Sequence, residues 1–171
     1  MVKVVSGIAA FVLTFGFSVS LVGLLFGFTG LSGSSIRTES APGIAGFLKL
    51  DVRNGEMRDR KIRRELYQRR GFSGEGIESL LPAYSRSVSE YVAESSAMDD
   101  SMLPADLRYA WRDHMEAWKK HDDLLRYAAS GKLKESTFRP TYKRTSNEIR
   151  ETWEQVLRIA DRYGVDTSRM R

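Results

Sequence analysis

Hydrophobic residues recur along much of this chain at the spacing of an α-helix. In the segment from Leu107 to Ala128, the residues Leu107, Trp111, His114, Trp118, His121, Leu125 and Ala128 follow one another in steps of four and three. This spacing places them on one face of a helix, which we expect to run from about Pro104 to Gly131. A candidate N-cap for it is Ser101.

Two further segments show helical patterns. Residues 77–98 carry an apolar stripe and are predicted to form a helix with Pro82 in its first turn. A second pattern runs from about Thr137 to Tyr163 and ends at Gly164, with Pro140 either in the first turn or delaying the start.

The segment ahead of these helices is less regular. Residues 47–52 alternate weakly, as a strand does, but no partner strand follows them. A helix is predicted from near Asn54 to about Arg70, closed by Gly71. Four helical segments and hardly any strand signal favour an all-α fold, a bundle of three or four helices spanning residues 47–171.

The first residues of the chain have a different composition. Residues 4–28 are twenty-five consecutive residues without a charge or a proline. As a helix they would be about 37 Å long, enough to cross a hydrocarbon core of about 30 Å. Cleaved signal peptides have shorter apolar regions, so we interpret residues 1–28 as a single-pass transmembrane signal anchor; cleavage near Gly33 and Ser35 is the alternative.

Small residues of the anchor also share one face of the predicted helix, namely Gly16, Ser20, Gly23 and Gly27. Such a groove allows two membrane helices to approach closely, which makes self-association a hypothesis. The alternative is that glycine is simply common in membrane helices. Residues 29–46 are rich in Gly and Ser and are predicted to be a flexible linker. A short basic N-terminus ahead of one apolar segment is the usual form of an anchor that leaves the following domain outside the cytoplasm.

Charge is concentrated in one segment. Of the net charge of +5, the surplus lies in residues 52–70, which hold eight basic residues against three acidic ones. The basic side chains Arg58, Arg60, Lys61, Arg63 and Arg64 are candidates for contact with anionic lipid or nucleic acid. A solvated helix face explains the same residues without a partner, and we expect no nucleic acid ligand.

The absence of cysteine and the placement of the histidines and tryptophans limit the kinds of metal or cofactor site that the chain can form. The chain has no cysteine, which excludes disulfides, thiolate metal sites and cysteine nucleophiles. A haem or zinc site could use His114 and His121 with Trp111 and Trp118 as walls. The two histidines are seven residues apart, about 10.5 Å along the helix, which is too far to share one metal ion. We therefore interpret the stripe as core and predict no cofactor.

Catalytic patterns are missing from the sequence, and the adjacent carboxylates do not share a helix face. The prediction is a membrane-anchored, non-catalytic binding or assembly protein whose protein partner the sequence does not identify. The alternatives are a cofactor- or metal-binding protein, and a protein that contacts anionic lipid or nucleic acid through residues 53–70.

Overall fold

A computed structural model of the protein describes residues 39–70 and 80–170. These residues form four α-helices and, within the described ranges, no strand. The helices are α1 (Ala41–Arg70), α2 (Leu81–Ser96), α3 (Ala105–Ala129) and α4 (Glu135–Arg162). The predicted all-α bundle is confirmed. Within the described ranges no helix combines the length and the apolar character that a membrane crossing requires. The predicted anchor of residues 1–28 and its glycine groove lie outside the described residues.

The four helices run alternately up and down. In α1 and α2, Asp51 pairs with Ser95 and Lys61 pairs with Glu90, so residue numbers rise on one helix as they fall on the other. The same antiparallel relation holds for α2 with α3, where Ser89 lies against Asp122 and Tyr91 against Trp118. It also holds for α3 with α4, where His114 lies against Thr152 and His121 against Thr145. Antiparallel neighbours follow from the short connections between the later helices.

The buried interior consists of two apolar clusters. The first joins the N-terminal half of α1 to the start of α3 and the end of α4, and contains Ile44, Leu48, Leu107, Trp111, Met115, Val156, Leu157 and Ala160. The second lies between α2, the end of α3 and the start of α4, and contains Val88, Tyr91, Val92, Leu125, Phe138 and Tyr142. Trp118 packs against both clusters, so the middle of α3 lies between them.

Helix α1 differs most from the prediction. It begins at Ala41 rather than near Asn54, and residues 47–52, which gave only a weak strand signal, are helical. Residues 41–46, assigned to the linker by composition, are also part of this helix, and Ile44 is fully buried. Ile44 and Leu48 are one turn apart on the face that packs on α3 and α4, which stabilises a helix that its glycines disfavour.

The helix ends agree with the sequence in most respects. Gly131 and Gly164 have positive φ angles of 72° and 82°, which glycine adopts without strain, and they follow the ends of α3 and α4. Ser101 is not the cap of α3, since Pro104 occupies that position and no side chain caps it. Pro140 lies in the second turn of α4, because the helix begins at Glu135, and its ring is exposed to solvent.

A C-terminal segment closes the first cluster. The Val165 N–H donates to the Ala160 carbonyl over 3.2 Å, and the Gly164 N–H donates to the Asp161 carbonyl over 2.9 Å, which is a Schellman ending. The turn directs the chain back along α4. There Val165 is buried and Trp153 Nε1 donates to the Met170 carbonyl over 3.1 Å.

Candidate functional site

The aromatic and histidine stripe of α3 is buried in the bundle. His114 and His121 each expose 2% of their surface, Trp111 is also buried, and Trp118 is half-buried. The stripe therefore packs inside the protein, as the core interpretation predicts. Its middle part contributes to a polar layer where the two apolar clusters meet. We define this layer as Arg58, Tyr91 (which also belongs to the second cluster), His114, Trp118, His121, Thr145 and Thr152.

The hydrogen bonds of His114 determine its tautomer. Trp118 Nε1 donates to His114 Nε2 over 3.1 Å, and an indole nitrogen can only donate, so Nε2 carries no proton. The other nitrogen, Nδ1, lies 3.0 Å from Thr152 Oγ1. That hydroxyl donates its own proton to a backbone carbonyl of α4, at Glu148 or Ile149. His114 is therefore a neutral imidazole that donates from Nδ1 and accepts at Nε2.

His121 repeats this arrangement two turns along α3. Its Nδ1 lies 2.8 Å from Thr145 Oγ1, and this hydroxyl donates to the Tyr142 carbonyl over 3.1 Å. The proton of the imidazole is therefore on Nδ1. Two histidines seven residues apart on α3 thus face two threonines seven residues apart on the antiparallel α4. A slip of one helix against the other by one turn would leave both imidazoles without their acceptors, so these pairs fix the register.

Burial makes both histidines weak bases. Loss of solvation lowers the pKa of His114 to about 3; a backbone hydrogen bond at Ile149 opposes the shift, and the positive charge of Arg58 adds to it. Loss of solvation, with the same charge from Arg58, lowers the pKa of His121 to about 4. Both imidazoles are therefore neutral near pH 7 and suited to fixed hydrogen bonds rather than to proton transfer at that pH.

Arg58 belongs to the polar layer, although the sequence pattern predicted that it contacts anionic lipid or nucleic acid. Its guanidinium lies 4.7 Å from the centre of the Trp118 ring and 5.0 Å from that of Tyr91, and it forms an ion pair with Asp59 at 2.8 Å. Only 17% of the side chain is exposed. The predicted contact of Arg58 with lipid or nucleic acid is thus not supported by its position. Its cation–π contacts instead join α1 to α2 and α3.

A second polar group joins α1 to α2. Asp51 is buried and accepts hydrogen bonds from Ser95 Oγ over 2.7 Å and from Tyr91 Oη over 3.0 Å, and Asn54 Nδ2 donates to Ser95 Oγ over 3.2 Å. Burial raises the pKa of Asp51, opposed by the hydrogen bonds from Ser95 and Tyr91 and by the charge of Arg58. This group was not predicted. The helical spacing of Ile44, Leu48 and Asp51 is the sequence pattern that could have indicated that Asp51 faces the interior.

The other predicted anion-contact residues lie on the outside of α1. Arg60, Lys61, Arg63 and Arg64 are exposed. Arg60 forms an ion pair with Glu56 on the same helix, and Lys61 forms one with Glu90 of α2 at 2.6 Å. The structure therefore separates Arg58, inside the bundle, from the four other basic side chains that were predicted to contact anions.

The polar layer has little free binding capacity. Among buried side-chain nitrogen and oxygen atoms of the described residues, only Arg108 Nε has no hydrogen-bond partner. The same residues contain no group of three or more His, Asp or Glu side chains arranged to hold a metal ion. A ligand at His114 would have to displace Trp118 or Thr152. The geometry thus supports a packing and register role for the four aromatic and histidine residues considered for cofactor binding.

Comparison of the chain with protein-family models, curated proteins and solved structures finds no significant match. The function must therefore be inferred from the residues themselves.

Proposed function

We propose that the protein is a single-span, membrane-anchored helical bundle that acts as a non-catalytic binding or assembly module. The observation that carries this proposal is the uncharged stretch of residues 4–28, which lies close in sequence to the start of α1 at Ala41. In this proposal the apolar stretch remains in the bilayer, and the bundle is held on its extracytoplasmic side.

Tethering gives this architecture its function. Residues 29–40 separate the proposed anchor from α1, and a chain of that length reaches about 40 Å when fully extended. The bundle is thus confined to a thin layer beside the bilayer. Confinement raises its effective concentration toward other proteins in that membrane without any additional contact.

The polar layer supports a non-catalytic role. Its imidazoles are neutral, buried and hydrogen-bonded to Thr145, Thr152 and Trp118, so they hold α3 against α4. A cofactor function based on His114 and His121 would require the bundle to open. Visible absorption and metal analysis of the purified full-length protein test this directly, and a coloured or stoichiometrically metal-loaded protein would contradict the proposal.

A topology reporter tests the membrane arrangement. We expect a reporter fused after Arg171 to be active only on the extracytoplasmic side and to fractionate with membranes. The matched control carries the same reporter on a chain that begins at Ser40. It should remain in the cytoplasm and lose membrane association. Activity of the full-length fusion in the cytoplasm would refute the proposed orientation.

Self-association of the anchor is a separate part of the proposal. Changing Gly23 and Gly27 together to Ile should fill the groove and reduce crosslinking of the full-length chain in membranes. Gly7→Ile with Ser18→Ile is the matched control, because these positions fall on the opposite face of the predicted helix. Equal crosslinking of the two variants and the unaltered chain would contradict a role for the groove.

A further inference from the structure

The outward face of α1 carries a continuous row of positive charge. We call this row the basic ridge, and its members are Lys49, Arg53, Arg60, Arg63 and Arg64. All five are exposed, and on a helix their positions fall within one third of the circumference, opposite the buried Ile44 and Leu48. The ridge extends for about 22 Å along the helix axis.

Few acidic side chains offset the positive charge of the basic ridge. Glu56 is the one acidic residue on the same face, and it pairs with Arg60. Asp59 is turned toward Arg58, and Lys61 at the side of the ridge pairs with Glu90. Five basic side chains against one carboxylate leave a strong local surplus on a surface that none of the other three described helices covers.

We propose that the basic ridge binds the anionic phospholipid head groups of the bilayer in which the protein is anchored, so that α1 lies along the membrane surface. Four of the five ridge residues are arginines, whose planar guanidinium groups bind phosphate oxygens in pairs. Apolar residues near the ridge are few, chiefly Leu50, which is 47% exposed. This composition suits contact with head groups rather than insertion into the acyl region.

The position of α1 in the chain selects the bilayer as the partner. This step rests on the proposed function, since it takes residues 4–28 to be embedded in lipid. The short connection then keeps the N-terminal end of α1, at Ala41, within about 40 Å of the membrane at all times. A phosphate-bearing surface is therefore always present at high effective concentration, whereas a soluble polyanion would have to be recruited.

A single fluorophore can test the contact, because the chain contains no cysteine. Gly46 lies on the ridge face, and a Cβ built there meets no atom within 4 Å, so Gly46→Cys can be labelled without disturbing the bundle. Energy transfer from this label to acceptor-labelled lipid reports its distance from the bilayer in full-length protein reconstituted into nanodiscs. The matched control label is at Gln155→Cys, on the exposed face of α4.

We expect transfer from the label at position 46 to increase when zwitterionic lipid is partly replaced by anionic lipid, with little change at position 155. The increase should be lost when salt is raised from about 0.1 M to about 1 M, since the Debye length falls from about 10 Å to about 3 Å. Each basic residue near an anionic surface strengthens binding about fivefold.

Charge-neutral variants separate the ridge from general basicity. Changing Lys49, Arg53, Arg60 and Arg64 to Gln should lower the ratio of docked to undocked protein at least about tenfold. The matched control removes four exposed basic residues of α4 and should leave the ratio unchanged; its changes are Lys143→Gln, Arg144→Gln, Arg150→Gln and Arg158→Gln. Circular dichroism verifies that both variants remain helical.

Three results would overturn the proposal. They are transfer that does not depend on lipid charge, equal loss in both variants, and binding of the labelled protein to duplex DNA, measured by fluorescence anisotropy, without any increase in transfer on anionic lipid. Energy transfer from the label at position 46 also measures the approach of α1 to added vesicles when residues 4–28 are not inserted in a bilayer. Failure of the anchor, seen as loss of protein from nanodiscs, is thus distinguishable from failure of the ridge to contact lipid.

Discussion

Acid should destabilise the bundle through its two buried histidines. Burial lowers the pKa of His114 to about 3 and that of His121 to about 4, while the unfolded chain has ordinary histidines near 6.5. Below pH 6.5 the unfolded state therefore binds more protons than the folded state. The free energy of unfolding must fall as the pH decreases from about 6.5 toward the folded pKa values.

The magnitude follows from these values. Each histidine contributes a slope of up to about 1.4 kcal/mol per pH unit, so the two together give about 2.7 kcal/mol per unit. From pH 7 to about pH 5 the expected loss is about 4 kcal/mol, a large part of the about 5–15 kcal/mol that stabilises a typical domain. Burial raises the pKa of Asp51, which has the opposite sign, so a variant that isolates one histidine is required.

Urea unfolding of the full-length protein in detergent, followed by circular dichroism at several pH values, measures this slope. The variant His121→Asn keeps a donor nitrogen near the position of Nδ1, facing Thr145, but does not titrate. It should reduce the slope by about 1.4 kcal/mol per pH unit whatever its effect on stability at pH 7. A stability that is constant between pH 7 and about pH 5, or an unchanged slope in this variant, would refute the reasoning.

Three further predictions concern stability at pH 7, measured by the same urea unfolding. Arg58→Met should cost about 2 kcal/mol, because two ring contacts and an ion pair are lost, and a change within about 0.5 kcal/mol of zero would show that the cation–π contacts contribute little. Thr152→Val should cost about 1–3 kcal/mol by removing the acceptor of His114 Nδ1, whereas Thr152→Ser, which keeps the hydroxyl, should cost less. Gly164→Ala should cost about 1 kcal/mol, since φ is 82° there, and no effect would mean that the turn can relax.

The sequence predicted helices α2, α3 and α4 because their buried faces are mainly apolar. On α3 the residues from Leu107 to Leu125 repeat at helical spacing without a break, and aromatic side chains dominate the stripe. Helical periodicity is then visible in the sequence alone. Gly131 and Gly164 indicated the ends of α3 and α4 for an equally local reason. Both have the positive φ angle that often follows a helix and that glycine adopts most easily.

Helix α1 could not be recognised in the same way. Its buried face continues from Leu48 into Asp51, Asn54 and Arg58, so polar residues occupy positions where a core residue is expected. Each is satisfied by a partner on another helix, and that pairing is a tertiary property. A weak alternation at residues 47–52 then suggested a strand.

The contacts of the polar layer could also be predicted only in part from the sequence. Sequence spacing showed that the two histidines could not share a metal ion, and their burial agrees with a packing role. It could not show that their partners would be Thr145 and Thr152, which lie 24 and 38 residues away in sequence. Nor could a run of basic residues reveal that Arg58, unlike the exposed Arg60 and Arg63, turns inward between two rings.

Intact mass spectrometry of the protein recovered from alkaline-washed membranes tests the central claim most directly. We expect the full-length chain of 19.4 kDa, including residues 1–38, to be retained in the washed membrane fraction. Recovery of a soluble chain that lacks about its first 35 residues, cut near Gly33 and Ser35, would contradict a membrane-anchored bundle.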